Sequence, residues 1–366
     1  MKSLAQFLLG VTVFANLAIG VAYGAAKEDF TQPYKSGDVL AIGQAVYNVY
    51  VECKDQVELA KYTKKFGVKT GQTVRINKYD AEKLLESIRN PLKKNAGGGA
   101  ANTAAGVAAL GGSASFIGAI ARDRFGHSFD EEMRTLGVET RSVVIKNAHE
   151  NTGVVFSFIT ADGERTMLDY PGVSHHLEDR DITWELIPRY KVVFLEGHMW
   201  NDKSGAALAH KALDIAKEHG VETAFALGSA ELASRYRSSF LSLLPKVDIL
   251  FANELEVMEM MQVSDLRTAL EKIRHMVKIA VITRGASGAI VITDKEEIAV
   301  PAEQVEKVAD TTGAGDMFAA GFLYGYTHDM DLKASARLGS LLAGRIIKHI
   351  GSKPERRMME LVALIR

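Results

Sequence analysis

The sequence predicts an α/β protein in which one large, mostly parallel sheet is covered by helices on both faces and joined by a smaller β-sheet. Between residues 191 and 261, apolar strand-like runs alternate with helical patterns, which is the order of elements in parallel α/β folds. Between residues 45 and 170, several half-polar, β-rich segments indicate a second sheet. Near the C-terminus, a glycine-rich turn leads into an apolar helical pattern, which is typical of an anion site.

Composition and charge fit a globular protein and exclude several classes. The chain has 366 residues, of which 47% are apolar and 24% charged, enough for one large α/β domain or two ordinary ones. The formal net charge of -1 gives no basic field for nucleic acid or an anionic membrane. Cys53 is the only cysteine, which excludes an intrachain disulfide and a cysteine-based zinc site.

Residues 1–30 differ in composition from the rest of the chain. Lys2 precedes an apolar run over residues 4–22, and small residues follow to Ala26. This is the plan of a secretory signal peptide, and the run is also long enough for an N-terminal membrane anchor. A third interpretation is an over-long reading frame whose true start lies further in. We therefore assign the folded domain to residues 31–366.

The N-terminal half begins with a buried strand ending in glycine and continues through half-polar strands and two helices. The predicted strands are residues 38–43, 47–53, 70–77, 113–119, 141–146, 154–160 and 164–170, and the predicted helices are 80–88 and 100–110. Asp162-Gly163 is the predicted hairpin turn between the last two strands. We assign the smaller sheet to residues 45–78 and 139–170.

The C-terminal half alternates strands and helices and ends in two helices. The predicted strands are residues 192–196, 222–227, 247–251, 280–283, 288–293 and 297–300, and the predicted helices are 204–218, 232–244, 254–261, 317–326 and 332–350. In such a sheet, ligands bind at the C-terminal ends of the strands.

The stretch from Asp310 to Asp316, with the sequence DTTGAGD, is the strongest candidate for a functional site. A glycine-rich turn that opens a helix directs backbone N–H groups and the positive end of the helix dipole at one point, so Gly313, Ala314 and Gly315 are expected to bind an anion. Asp316 would then accept a proton from a hydroxyl that attacks a phosphate, and we expect the helix end to keep it ionised. The alternatives are a plain helix cap and a dinucleotide fingerprint, and Phe318 disfavours the second.

DTTGAGD followed by Met317-Phe318 resembles the C-terminal signature of the PfkB family of carbohydrate and nucleoside kinases. The resemblance extends over residues 38–355. The glycine turn 97–99 with Asn102 resembles the family's first signature, and Gly351 to Pro354 resembles the adenosine-kinase-like branch. The resemblance implies a ribokinase-like, three-layer α/β/α domain with the smaller sheet as a lid. It also implies transfer of the ATP γ-phosphoryl group to a CH2OH of a nucleoside (adenosine-like) or a sugar, as in ribokinases and fructokinases.

The resemblance also implies roles for residues along the chain. Asp316 would be the base, and Gly313 to Gly315 would receive the developing charge. Glu256, in an N-x-x-E motif with Asn253, would organise Mg²⁺ through water, and Asp310 would be a candidate for holding a monovalent cation such as K⁺. The residues implied for ATP are Asn253, Thr283, Gly285, Gly288, Thr312, Gly313, Gly315, Ser340 and Ala343.

The residues implied for the acceptor depart from the family pattern. They are Gln44, Asn48, Gly98, Gly99, Asn102 and Asp316. Asn48 takes the place of an Asp that binds sugar hydroxyls in the family, and Asn lacks the strength of a charged acceptor. Gly99 stands where many relatives have Ser or Lys. These departures leave the choice between sugar and nucleoside open.

A second hypothesis belongs to another class: an exported, inactive sugar- or nucleoside-binding protein on a kinase scaffold. The signal-like N-terminus and the altered acceptor positions motivate it, whereas the intact Asp316 favours an enzyme. Dependence on ATP leads us to expect a cytoplasmic protein despite the first 26 residues. We expect a small-molecule substrate, no nucleic acid, no membrane contact of the catalytic domain, and a monomer or homodimer.

Overall fold

Two β-sheets of different size organise the chain. The computed structural model describes residues 37–146, 149–161 and 164–365, which belong to a unit spanning residues 35–366. The signal-like segment 1–30 and the hairpin turn Asp162-Gly163 lie outside the described residues. In the part of the chain that the structure describes, no helix combines the length and the apolar character needed to cross a membrane.

The strands, numbered in chain order, are β1 (Gly37–Ile42), β2 (Val46–Cys53), β3 (Thr73–Arg75), β4 (Lys93–Gly97), β5 (Ala114–Ile117), β6 (Ala119–Ile120), β7 (Glu139–Thr140), β8 (Val143–Val144), β9 (Thr152–Thr160), β10 (Arg165–Gly172), β11 (Tyr190–Glu196), β12 (Glu222–Ala226), β13 (Ile249–Asn253), β14 (Ile279–Thr283), β15 (Ala289–Ile292) and β16 (Glu297–Val300). The α-helices are α1 (Gln56–Thr63), α2 (Lys78–Ser87), α3 (Gly99–Ala109), α4 (Arg124–Thr135), α5 (Gly205–Glu218), α6 (Ala230–Arg235), α7 (Arg237–Leu243), α8 (Glu254–Met261), α9 (Leu266–Ile273), α10 (Ala314–Thr327), α11 (Leu332–Ile346) and α12 (Glu360–Ala363).

The large sheet has the strand order β16-β15-β14-β13-β12-β11-β1-β5-β7, and all its strands are parallel except β15, which pairs antiparallel with β14 and β16. Successive residues of its strands enter different apolar clusters. Val39 and Phe194 belong to the cluster that contains residues of α3, α10 and α11, whereas Leu40 and Leu195 belong to the one with residues of α5 to α9. Because side chains alternate across a strand, helices cover both faces, which confirms the predicted three-layer α/β/α fold.

The smaller sheet, called the lid sheet below, has the order β3-β10-β9-β2-β4. The assignment of residues 139–144 to it is wrong. β7 pairs with β5 and thereby covers an edge of the large sheet, and β8 pairs with β6. Strand β4 was not predicted, because its sequence KKNAG is polar and ends in glycine, yet it pairs with β2.

The two faces of the lid sheet differ in chemistry. Val49 and Phe156 lie on one face, in the apolar cluster that also contains Leu59 of α1, Leu84 of α2 and Phe125 of α4. The opposite face follows from strand register. One row across it contains Asn95, Asn48, Val155, Asp169 and Arg75, and the next contains Lys93, Tyr50, Ser157, Met167 and Thr73. This mostly polar face carries the side chains that lie closest to the candidate site.

Two predicted helices have different bounds in the structure. The helix expected over 232–244 is divided into α6 and α7, because Tyr236 leaves the helical conformation at φ -106° and ψ 20°. The helix expected to reach residue 350 ends at Ile346. The carbonyl of Ile347 accepts a hydrogen bond from the Ala309 N–H at 2.7 Å, so the incoming loop uses a group at the helix end.

Candidate active site

The candidate site lies at the C-terminal edge of the large sheet. Strands β1, β11, β13 and β14 all end there, and helices α3, α8 and α10 begin there. Glycine turns precede α3 and α10, so their N-terminal N–H groups open onto the same cleft. Residues that are distant in sequence therefore meet at this edge.

Asp316 lies in the first turn of α10 and is held by Asn102 of α3. The Asn102 Nδ2 donates to Asp316 Oδ2 at 2.8 Å, and Ser352 Oγ donates to Asn102 Oδ1 at 3.1 Å. Part of the side chain faces the cleft, but burial of the carboxylate raises the pKa of Asp316 to about 6, while the bond from Asn102 opposes this rise. A carboxylate with this pKa is still mostly ionised at neutral pH, so the role of Asp316 as proton acceptor stays a prediction. A pKa of about 6 suits a general base near neutral pH.

The turn before Asp316 fits the close approach of a ligand. Gly313 has φ 76°, and a Cβ there would lie 2.2 Å from the Ser352 carbonyl oxygen, so only glycine fits. A Cβ on Gly315 would meet nothing within 4 Å, which leaves room for an anion. The Ala314 N–H donates to the Thr311 carbonyl at 3.2 Å. Gly313 and Gly315 thus remain the better candidates for anion contacts.

Glu196, the last residue of β11, was missed by the sequence reasoning. It accepts hydrogen bonds from the Gln44 N–H at 2.8 Å and the Ala100 N–H at 3.1 Å. A Cβ on Gly99 would lie 2.5 Å from Glu196 Oε2 and 3.3 Å from Asp316 Oδ1, so Gly99 allows both carboxylates to share the cleft. Burial raises the pKa of Glu196 to about 7. Its place at a strand end was the signal that could have identified it.

Polar side chains extend the cleft away from Asp316. Gln44 Nε2 donates to the His198 carbonyl at 3.3 Å and to Asp202 Oδ1 at 3.2 Å, and His175 Nδ1 lies 2.7 Å from Asp202 Oδ1. Burial lowers the pKa of His198, and the charges of Asp169, Asp316 and Asp202 oppose that change. His198 is thus placed among carboxylates from helix α10, from the loop after β11 and from the lid sheet. None of these groups except Gln44 was predicted.

Asn48 lies on the polar face of the lid sheet. Its Nδ2 donates to Asn95 Oδ1 at 3.3 Å, and its side chain is 8% exposed. Tyr50 and Ser157 lie in the adjacent row, and the hydroxyl oxygens of both are buried. Gly98, with φ 107°, packs against the Gln44 carbonyl, where a Cβ would be only 2.0 Å away. Side chains on the polar face of the lid sheet therefore provide hydrogen-bonding groups on the lid side of the cleft.

Asn253 and Glu256 form a capping box at the start of α8. The Asn253 N–H donates to Glu256 Oε2 at 3.0 Å, its Nδ2 to Oε1 at 2.8 Å, and the Glu256 N–H to Asn253 Oδ1 at 2.9 Å. Burial raises the pKa of Glu256 to about 7, and the charge of Asp316 acts in the same direction. Within the described ranges, no group of three or more His, Cys, Asp or Glu side chains could hold a metal ion directly. The side-chain oxygen atoms of Asn253 and Glu256 are of the type that magnesium prefers as ligands, and they would hold the ion through water molecules.

The remaining ATP candidates continue along the same edge. Thr283 pairs with Asn253 across β13 and β14. Gly285 and Gly288 have positive φ angles of 54° and 83°, as the tight turn between β14 and β15 requires. On α11, the Ser340 hydroxyl donates to the Pro301 carbonyl at 2.9 Å, and Ala343, one turn further along, is half-buried.

Asp310 is buried at the start of the glycine-rich loop. Its Oδ1 accepts the Thr312 N–H at 2.8 Å and the Thr312 hydroxyl at 2.7 Å, and its Oδ2 accepts the Gly351 N–H at 3.0 Å. Arg165 of the lid sheet forms an ion pair with the same carboxylate. Asp310, the residue predicted to hold a monovalent cation, thus has the guanidinium group of Arg165 beside it.

Comparisons with known proteins agree on one family. The profile of the pfkB family of carbohydrate kinases matches residues 64–356. The structure of a probable sugar kinase from Rhizobium etli CFN 42 has a TM-score of 0.84 and 34% identity, covering 90% of this chain and 99% of that one. The adenosine kinase from Sinorhizobium meliloti has a TM-score of 0.82 and 35% identity, covering 90% and 98%. A 5-dehydro-2-deoxygluconokinase from Lacticaseibacillus casei is 29% identical over 76% of this chain and 88% of that protein.

Proposed function

Because this chain belongs to the pfkB family of carbohydrate kinases, and is therefore a phosphotransferase that acts on an alcohol group, we propose that it transfers the γ-phosphoryl group of ATP to the primary alcohol of a sugar. The observation that carries this proposal is the Asp316 carboxylate, held at 2.8 Å by Asn102 at the mouth of a glycine-lined helix N-terminus. A protein that only binds its ligand needs no base at this position. The Asp316 carboxylate and membership of a kinase family together favour an enzyme over the non-catalytic alternative.

In the proposed reaction, Asp316 accepts the proton of the acceptor CH2OH as its oxygen forms a bond to the γ-phosphorus. The bond between that phosphorus and the bridging oxygen of ADP breaks, and ADP leaves. Backbone N–H groups of Gly313 and Gly315 face the phosphoryl oxygens, where charge develops. Bound magnesium would offset the charge of the phosphate oxygens, and Glu256 with Asn253 would hold it through water. The lid sheet excludes water from the reaction.

A neutral sugar suits the acceptor side of the cleft. Glu196, Asp202 and Asp169 provide carboxylates for hydroxyl groups, and Gln44 provides an amide. Asp202 lies beside His175 and Asp169 lies 3.8 Å from Arg75, so the charge that opposes binding of an anion comes mainly from Asp316 and Glu196. We therefore place neutral sugars ahead of an acid such as the 5-dehydro-2-deoxygluconate named for the Lacticaseibacillus casei relative.

Adenosine is the second candidate acceptor. The match to the Sinorhizobium meliloti adenosine kinase at 35% identity favours it, and Val155 and Met167 supply half-buried apolar surface on the lid face. A purine ring gains from such apolar contact. The two candidates differ in what the lid face must bind, a set of hydroxyls or a flat ring.

The test is ADP release with ATP and magnesium against a panel of ribose, fructose, other neutral sugars, adenosine and 5-dehydro-2-deoxygluconate. We expect turnover with one neutral sugar and much lower kcat/KM for the others. With that acceptor, Asp316→Asn should lower kcat by about 10²–10⁴-fold, because a general base is lost, while ATP binding persists. Asp294→Asn, in an exposed turn, is the matched control. A near-normal kcat for Asp316→Asn would remove this carboxylate from the mechanism.

A further inference from the structure

The Asp310 carboxylate presents an electrostatic problem. Its side chain is 0% exposed, in the loop that leads to the predicted anion site. Hydrogen bonds from Thr312 and from the Gly351 N–H reach its two oxygens. These donors are neutral, and a buried carboxylate without a nearby cation is strongly unfavourable. A positive charge next to this carboxylate would therefore stabilise the active fold.

Arg165, the first residue of β10, supplies that charge. Its Nη1 donates to Asp310 Oδ1 and to the Thr312 hydroxyl, and its Nη2 donates to the Thr311 hydroxyl. A guanidinium group offers five donors in a rigid plane, so one side chain can satisfy all three acceptors at once. The contact joins the lid sheet to the loop across 145 residues of sequence.

This pair differs from an ordinary surface salt bridge. The Arg165 side chain is 20% exposed and its partner carboxylate is fully buried, so solvent screens the interaction weakly. Tyr50, 1% exposed on the same lid face, is close enough for the charges of both Asp310 and Arg165 to influence its hydroxyl. The guanidinium therefore lies in a protein environment between the lid sheet and the loop. An added monovalent cation at Asp310 would have to displace it.

We propose that Arg165 is a positioning residue that neutralises Asp310 and fixes Thr311 and Thr312, and that this tethered cation makes the kinase independent of added K⁺. The inference rests on the proposed function, because it concerns the loop that binds the transferred phosphoryl group. It assigns Asp310 a protein-borne partner in place of the free monovalent ion that the sequence suggests. Arg165 acts through the loop and is not required to touch the acceptor.

The experiment compares cations at equal ionic strength. Turnover and ATP affinity of the full chain are measured in K⁺, Na⁺ and N-methylglucamine. We expect no difference for the wild type. Arg165→Met should lose about 10²-fold in kcat, the loss typical of a misplaced reacting group, and should bind ATP more weakly. Added guanidinium or K⁺ should restore part of both, and Arg165→Lys should stay independent of K⁺.

Arg134→Met, on the exposed side of α4, is the control and should respond to no cation. Cation rescue is the decisive readout, since a loss of stability alone would not respond to guanidinium. Strong activation of the wild type by K⁺, or an Arg165→Met variant with unchanged kcat and ATP affinity, would overturn the inference. If the wild type turns over no acceptor in any cation, the proposed function fails instead, and the ATP affinities still test the role of Arg165.

Discussion

Replacing Asn102 with Leu should move the acid limb of the pH profile to higher pH. Asn102 donates to Asp316 at 2.8 Å and opposes the burial that raises the pKa of Asp316 to about 6. A hydrogen bond to a charged group contributes about 1.5–3 kcal/mol. At 1.36 kcal/mol per pKa unit, its loss should raise the pKa by about 1–2 units. The base works only when unprotonated, so activity is lost as pH falls through the pKa.

The assay is kcat/KM for the acceptor from pH 5 to pH 9, since this parameter reports the free enzyme. At pH 6.5 the ionised fraction of Asp316 should fall about 3- to 25-fold in the variant, for a rise of about 1–2 units. Ser352→Ala is the control, because Ser352 bonds to the other end of the Asn102 amide and leaves the Asp316 contact in place. A limb that stays near pH 6 in Asn102→Leu would refute the assignment of that pKa to Asp316.

Three further predictions concern Glu256, Asn48 and Glu196. Glu256→Gln should raise the magnesium requirement more than it lowers Tm, whereas a purely structural cap would lower Tm and leave the magnesium titration unchanged. Asn48→Ala should raise the acceptor KM by an amount equivalent to about 1–3 kcal/mol and leave the ATP KM unchanged, and Asn48→Asp should be tolerated; an unchanged acceptor KM would mean that Asn48 serves only to bond Asn95. Burial raises the pKa of Glu196 from its usual 4.5 to about 7, so its favourable share of stability is lost as pH rises between these values. Wild-type Tm should fall over that interval, and a Glu196→Gln variant with the same slope would contradict the assignment.

The parts of the site that sequence reasoning reached are those with a local signature. DTTGAGD combines turn glycines, a helix start and a carboxylate within seven residues, so Asp316 could be identified without its partners. The central strands were predictable because both of their faces are buried and they read as continuous apolar runs. The three-layer fold followed from their alternation with helices.

The missed features depend on pairing between distant segments. No sequence pattern near Arg165 predicts its contact with Asp310, because the two residues are 145 positions apart and meet only in the folded protein. Glu196 ends a predicted strand and His198 follows it, but their surroundings depend on Gln44 and Asp202. Strand β4 lacks β-branched residues, and it is stabilised by its hydrogen bonds to β2, which would otherwise be an edge strand. Helices α1 and α9 have only eight residues each, and tertiary packing stabilises helices this short.

The apolar cluster that includes residues of the lid sheet has a consequence for which side of that sheet can move away from the large sheet. Phe125 and Phe129 of α4 belong to one continuous cluster with Val49 and Phe156 of the lid and Phe116 of the large sheet. Moving β4 away from the large sheet would expose this apolar surface, at a free-energy cost of about 25 cal/mol per Å². We therefore expect the β4 side to act as the hinge of the lid sheet, and the β3 and β10 side, which Arg165 joins to the site by polar contacts, to open. We expect the acceptor to enter and the product to leave on the β3 and β10 side, where opening would exchange the polar contacts of Arg165 for contacts with water.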